Sequence, residues 1–315
     1  MTVASSALDP AADQAQAIAG VWHVSLWICA IMYAIVLIAT AVVIVRMGRL
    51  RRRGAVAAPA DARLGRGLSV WIALVVLGLI ALAATSFVTD RRLIARDAAL
   101  TIRVTGRQWW WQLDYLDPDA NRQFTTANEL HLPLGRTVHL ELVSDDVIHS
   151  FWVPNLAGKR DLIPGRINEL ELTPRRIGTF RGTCAEFCGL EHAKMAILVK
   201  VEDEKSFAAW RERQLSAAAE PRDARSERGR QYFLSTTCAM CHTIRGTTAA
   251  SRAGPDLTHL AARTTLAAGT LPLNAGSLGA WLADPQRQKP GCNMPAIDIE
   301  PEDLDALVGY LMSLE

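Results

Sequence analysis

Two long apolar runs, Val21 to Val45 and Leu68 to Val88, constrain the fold of this chain more than any other feature. An α-helix advances 1.5 Å per residue, so about 20 apolar residues cross the roughly 30 Å hydrocarbon core of a bilayer. Both runs meet that length. The first is broken only by His23 and a few small polar residues. A cleaved signal peptide would carry basic residues ahead of its apolar stretch. Residues 1–20 hold Asp9 and Asp13 but no Lys or Arg, so both runs read as true spans. Between them lie Arg46, Arg49, Arg51, Arg52, Arg53, Arg63 and Arg66. Arginine-rich short loops stay in the cytoplasm. The connection is therefore expected inside, with both termini on the opposite side. Arg91, Arg92 and Arg96 dilute this bias without reversing it. Trp22, Trp27 and Trp71 read as interfacial anchors or as plain lipid-facing bulk.

With 315 residues, 50% of them hydrophobic, the chain has room for two soluble domains beside the spans. A net charge of +2, with no basic stripe interleaved with aromatics, excludes a nucleic-acid partner. Residues 99–203 show the period of two that marks half-buried strands: Leu100, Ile102 and Val104; Val138, Leu140 and Leu142; Leu170 and Leu172; Ile197, Val199 and Val201. Pro133, Gly135, Pro154, Gly158, Pro164-Gly165, Pro174 and Gly178 punctuate them, which points to a sandwich or barrel.

Six cysteines are present: Cys29, Cys184, Cys188, Cys238, Cys241 and Cys292. Four of them fall into two metal-type motifs, which argues against a disulfide framework. Cys29 reads as a small residue of the first span, and Cys292 has no assigned partner. The first motif gathers Cys184, Glu186, Cys188, His192 and Met195 in one loop between the last two strands. Thiolate, imidazole and thioether ligands select copper or zinc over magnesium or calcium. One more ligand is expected from His149, at the end of a strand and just before Pro154. Alone, it would read as a packed histidine; the downstream loop changes that reading. His131 and His139 lack such a context and are expected on the surface of their strands. Spacing alone leaves open a Cys2His2 zinc set of His149, Cys184, Cys188 and His192. Met195 favours copper, because a weak thioether suits copper electron-transfer sites.

The order His149 … Cys184-x-Glu186-x-Cys188-x-x-x-His192-x-x-Met195 resembles the dinuclear CuA centre of cytochrome c oxidase subunit II. Gly106-Arg-Gln-Trp109-Trp-Trp111, Ile148-His-Ser-Phe-Trp152-Val-Pro154 and Ile163-Pro-Gly-Arg166 extend the resemblance, which runs from the hairpin through the β domain. It implies a cupredoxin-like β-sandwich in which Cys184 and Cys188 bridge two copper ions. His149 and His192 would each bind one copper. Met195 would be a weak ligand of one, and the Glu186 carbonyl of the other. The Glu186 carboxylate would face a magnesium at the boundary with subunit I. Trp109 would be the aromatic through which electrons enter, with ordinary packing the alternative for one or two of Trp109 to Trp111. A rigid β scaffold would hold these ligands nearly still between redox states. Many members of the family carry a proton-conducting Glu just before the second span. Here the stretch is Arg63-Leu-Gly-Arg-Gly67 with Asp61 the only acid near, so no proton-path residue is assigned.

Beyond the β domain, Lys205 to Ala218 reads as a short helix with Phe207, Trp210 and Leu215 on an imperfect apolar face, and Ala217-Ala-Ala-Glu-Pro221 as a tether. Cys238-Ala-Met-Cys241-His242 is a c-type haem attachment motif. The thiols of Cys238 and Cys241 would add to the haem vinyl groups, His242 would be the proximal ligand, and Met294 the distal one. A redox disulfide or half a zinc site is the alternative for a bare C-x-x-C. A His/Met pair raises the haem potential, as suits an electron carrier. Met240 and Met312 are not expected to ligate. Gly254-Pro255-Asp-Leu257 resembles the loop behind the proximal histidine in class I cytochromes c. Ser277 is expected to cap a helix running to about Ala283, and Leu304, Leu307, Val308 and Leu311 mark a final amphipathic helix. His259 is expected at the surface.

The expected fold is thus a multidomain membrane protein: a two-helix hairpin within 1–98, a cupredoxin-like CuA domain at 99–203, a linker at 204–225 and an all-α class I cytochrome c domain at 226–315. The resemblance, to the caa-type arrangement, implies a subunit that takes electrons from a cytochrome c donor and passes them by its haem c and CuA to haem a in subunit I. Oxygen reduction and proton translocation would occur in that partner, since this chain has no intramembrane histidine cluster. The implied partners are subunits I and III. The implied location is the bacterial inner membrane, with both termini and both soluble domains periplasmic. A CuA-containing nitric oxide reductase would use the same relay. Quinol oxidases lack the copper ligands, nitrous oxide reductase is soluble with a large histidine-rich domain, and a copper-delivery protein would not need the haem motif.

Overall fold

The computed structural model describes residues 5–53, 61–93 and 98–315. Asp61, Arg63, Arg92 and Arg96, used above in reading charge, lie outside the side chains described. Contacts divide the chain into two units, residues 16–94 and residues 1–15 with 95–315.

The first unit is the helical hairpin. Helices α1 (Asp13–Arg52, 40 residues) and α2 (Asp61–Leu93, 33 residues) outrun the apolar stretches at both ends. Arg46 to Arg52 therefore lie on the last turns of α1 and not in a loop, because arginine is a good helix former and no proline intervenes. Hydroxyls within the apolar stretches bond back along their own helix: Thr40 Oγ1 to the Val36 carbonyl and Thr85 Oγ1 to that of Ala81, each 2.8 Å. That local bond satisfies a polar group where no water is available.

The second unit begins with an element that the sequence did not announce. Residues 6–15 form a strap on the β domain. Ala11 N–H donates to the Asn155 carbonyl and Arg175 N–H to the Ala11 carbonyl, at 2.7 and 2.8 Å. Asp9 pairs with Arg176 and Asp13 with Arg175, while Ala11 and Ala12 enter the core.

Ten strands follow: β1 Leu100–Arg107, β2 Trp110–Leu116, β3 Phe124–Ala127, β4 Glu129–Pro133, β5 Val138–Ser144, β6 His149–Trp152, β7 Arg160–Leu162, β8 Asn168–Leu172, β9 Gly178–Cys184 and β10 Ala196–Glu202. They make two five-stranded sheets, β3-β2-β1-β5-β8 and β4-β10-β9-β6-β7. The β1–β5 and β4–β10 pairs are parallel and the others antiparallel. Ile102, Leu113, Leu140 and Leu142 from one sheet meet Leu130, Phe180, Ile197 and Val199 from the other in one core. The alternation predicted for Leu100, Ile102 and Val104 of β1 and for β5 is observed, whereas Ala196 to Val199 of β10 are all buried, between the sandwich core and the cover over its other face.

Helix α3 (Glu204–Leu215) starts where the Asp203 side chain accepts from Ser206 N–H, and buries Phe207 and Trp210 against the sandwich. Trp210 stacks on His131 at 4.0 Å and 5° and meets Tyr115 edge-on at 5.2 Å. His131 is therefore buried, not at the surface: α3 covers its strand, which strand periodicity could not reveal. His139 is half-buried beside Glu171 on the neighbouring strand.

The cytochrome-like region contains α4 (Ala224–Ser235), α5 (Cys238–Cys241), a small hairpin of β11 (Thr265–Leu266) and β12 (Leu271–Pro272), α6 (Ala275–Ala283), α7 (Pro285–Gln288) and α8 (Pro301–Leu311). Phe233 of α4 and Tyr310 of α8 meet in its core. Asn274, not Ser277, caps α6: its side chain accepts from Ser277 N–H. His259 is buried, with Nδ1 donating to the Glu315 carbonyl and Nε2 3.2 Å from that of Ser216. Glu315 covers it, a contact not visible in local sequence.

Burial opposes charge on His131 more strongly than the Glu202 carboxylate favours it, and holds its pKa below the ordinary 6.5. As pH falls through about 6.5 the unfolded chain therefore takes up a proton that the folded chain refuses, and stability falls. Thermal unfolding followed across this window should show that loss, and His131→Gln should lessen it. An equal loss in the variant would remove His131 as a cause.

Candidate metal and haem centres

The sandwich places His149 and the loop at one end of its second sheet. His149 opens β6 and Cys184 closes β9, with Phe151 and Cys184 in register across the pair. The loop then turns back, and Met195 sits just before β10. Cys184 Sγ and Cys188 Sγ lie 3.7 Å apart. His149 Nδ1 is 3.8 Å from the Cys184 sulfur, and His192 Nδ1 is 3.6 Å from that of Cys188. Met195 Sδ is 3.9 Å from the Cys188 sulfur, and the Glu186 carbonyl oxygen 3.2 Å from that of Cys184. The structure thus gathers all the predicted donors around the two sulfurs. The Glu186 side chain is exposed, away from this cluster. The ligand atoms of His149, Cys184 and Cys188 lie within 4.8 Å of one another and could hold a metal ion.

The Cys184 thiolate offers negative charge to a cation, whereas Cys188 and His149 would release protons on binding one. A hydrogen bond from the Cys188 thiol, against the opposing effect of burial, brings the Cys184 thiol down to about 3. The same sharing, with burial, pushes the Cys188 thiol up. Burial opposes the His149 cation, but Asp146 and Cys184 overcome it and raise His149 to about 8. Asp146 Oδ1 lies 2.7 Å from His149 Nε2, leaving Nδ1 for the sulfurs. Carboxylate partners of this kind fix both the tautomer and the ring orientation of a ligating histidine. Sequence reasoning missed Asp146; its one available signal was a carboxylate three residues before the candidate ligand.

A second site lies in the cytochrome-like region. Cys238, Cys241, His242 and Met294 line one cavity of about 320 Å³, walled by Leu257, Leu278 and Trp281 among others. His242 Nδ1 donates to the Pro255 carbonyl at 2.7 Å, so its Nε2 is left free. Burial keeps this imidazole below its ordinary pKa and therefore neutral, as an iron ligand must be. The Met294 loop is tied by Gln286, whose amide donates to the Met294 and Cys292 carbonyls and accepts from Gly291 N–H. Nothing in the sequence marked Gln286. Both candidate histidines sit against a glycine with no room for a side chain. A Cβ on Gly106 would lie 2.7 Å from the His149 ring, and one on Gly254 2.7 Å from the His242 ring.

Trp109 stands between the two sites. It is 8% exposed, its Nε1 donates to the Cys188 carbonyl at 2.9 Å, and it also lines the second cavity.

Two donor sets of redox type in one compact unit define a multicentre redox protein. Residues 115–202 match the family of the cytochrome c oxidase subunit II periplasmic domain, and residues 226–315 match cytochrome c. Cytochrome c oxidase subunit 2 of Alkalihalophilus pseudofirmus is 35% identical over 98% of this chain and 91% of its own length. That of Bacillus subtilis is 32% identical over 76% of this chain and 69% of its own length. The crystal structure of the periplasmic domain of cytochrome oxidase subunit II from Bradyrhizobium japonicum shares 35% identity over 38% of this chain and 96% of that one, with a TM-score of 0.36. The chain belongs to the cytochrome c oxidase subunit 2 family and carries a cytochrome c domain at its C-terminal end.

Removing the carboxylate that orients His149, by Asp146→Ala, should weaken metal binding at the sulfur cluster by about 10- to 100-fold with the fold retained. Metal titration followed by absorption would measure it; unchanged affinity would show that Asp146 does not act on the site.

Proposed function

We propose that this chain is the subunit through which electrons enter a haem-copper terminal oxidase. In this reading a cytochrome c-type donor reduces its haem c, and electrons continue by a two-copper centre to haem a of subunit I, where oxygen is reduced to water and protons are translocated. Haem c and copper, when bound, supply reversible one-electron chemistry. The observation that carries the proposal is the position of Trp109, which borders the haem cavity on one side and donates to the copper loop on the other.

The donor geometry supports a copper pair over a single zinc. A tetrahedral ion needs four ligand atoms converging on one point. His192 stands outside the group formed by His149, Cys184 and Cys188, and lies beside Cys188. Each sulfur thus has its own imidazole, with the Met195 thioether on one side and the Glu186 carbonyl on the other. The exposed Glu186 carboxylate supports a magnesium at the subunit I boundary. In the second site, Cys238 and Cys241 would hold the haem covalently, and His242 and Met294 would ligate its iron.

Subunits I and III are the proposed partners in the membrane. The strap supports placing both termini and both soluble domains on the extracytoplasmic side, since residues 6–15 ahead of the first span pack on the β domain. The arginines at the inner ends of α1 and α2 support the same orientation.

Because a methionine ligand raises the haem potential, Met294→Ala should leave the haem attached but lower its potential and slow oxygen consumption driven by reduced cytochrome c. An unchanged potential removes Met294 from the iron. A lowered potential with undiminished oxygen consumption removes the haem from the route.

A further inference from the structure

Two domains joined by a tether ordinarily move relative to one another unless their interface holds them. The interface between the cytochrome domain and the β domain contains two buried charges that answer each other. Lys289, in the loop leading to Met294, is 3% exposed. Its ammonium donates to the carbonyls of Trp109 at 2.6 Å and Lys194 at 2.8 Å, both in the β domain, and lies 3.4 Å from that of Ala267 in its own. Among the described residues it makes no direct ion pair; carbonyl oxygens hold the ammonium, and the buried Glu191 carboxylate nearby favours its charge. From the other side comes Glu129 of β4, also 3% exposed. Its Oε1 accepts from the N–H groups of Thr264 and Thr265, at 2.7 and 3.0 Å, and from the Thr264 hydroxyl at 2.7 Å. Lys200 neutralises its other oxygen at 2.6 Å.

Buried charges of this kind do more for geometry than for affinity. A shifted docking pose would leave an ammonium or a carboxylate desolvated and unmatched, which is strongly unfavourable. Both groups are matched only when the two domains meet in one register. That register bears on the redox sites, since Lys289 grips the main chain of Trp109 and of the residue before Met195. Asn293, beside Met294, donates to the Gln108 carbonyl at 2.8 Å. We propose that Lys289 and Glu129 are positioning residues that lock the cytochrome domain in a single pose on the β domain, so that the haem crevice stays against Trp109 and does not swing between donor and acceptor.

The inference rests on the redox reading above, and the test separates the two. In the assembled oxidase, Lys289→Met and, separately, the double replacement of Thr264 and Thr265 by Val would be compared with the unaltered chain. The second variant removes only hydroxyls and guards against a folding failure of the first. Protease cleavage within residues 217–221 reports docking without any electron transfer. Photoreduction of the haem, with copper absorption followed in time, reports transfer. The haem spectrum and potential should be unchanged, cleavage faster, and transfer slower, by up to about 100-fold if the reacting groups are displaced by about 1 Å. Unchanged cleavage overturns the lock, whether or not transfer slows. Transfer at the original rate despite faster cleavage overturns the positioning role. Failure of the unaltered chain to pass electrons to copper would instead overturn the functional reading, and leaves the cleavage result standing.

Discussion

Everything at the functional end of the sandwich depends on keeping Cys184 and Cys188 as two free sulfurs side by side. At 3.7 Å they are well beyond the roughly 2.05 Å of a disulfide, yet close enough to share one cation or proton. Backbone bonds hold them there. Cys184 N–H donates to the Met195 carbonyl, which ties the two ends of the loop together. The Cys188 carbonyl takes two donors from the β1–β2 connection, Gln108 Nε2 and Trp109 Nε1. The loop is thus braced by both sheets, and the imidazoles of His149 and His192 are presented to it ready-made. Such prior arrangement lets a redox centre change charge with little rearrangement.

The same logic extends outward. Gly106 makes room for His149, Asp146 turns its ring, and Trp109 closes the gap to the haem cavity. In the cytochrome domain Gly254 and the Pro255 carbonyl do for His242 what Gly106 and Asp146 do for His149. Both sites therefore solve one problem: aiming one ring nitrogen of a histidine at the candidate site while the opposite nitrogen is occupied.

What could be read from sequence divides along contact range. Strand alternation, the Cys184 to Met195 spacing, the haem motif and the two spans are local patterns, and the structure reproduces their strands and helices where they were expected. Features built from distant partners were not legible. The strap joins Ala11 to Asn155 and Arg175, Trp210 buries His131, and Lys289 reaches Trp109 across 180 positions. Each is an ordinary residue until the fold supplies its neighbour. The surface readings of His131 and His259 failed for that reason: polarity and periodicity cannot show that α3 or Glu315 will cover them. Gln286 and Asp146 escaped notice because they act on the candidate ligands and are not of a ligand type in the motifs themselves.

The central claim is that one chain carries a copper pair and a covalent haem within reach of each other. The most direct test is the copper-to-haem ratio of the full chain, with its electron paramagnetic resonance spectrum. Two coppers are expected for each covalent haem, with one unpaired electron shared equally by both coppers. One copper, or zinc in its place, would contradict it, because the loop would then be a mononuclear or structural site and the relay would lose its second station.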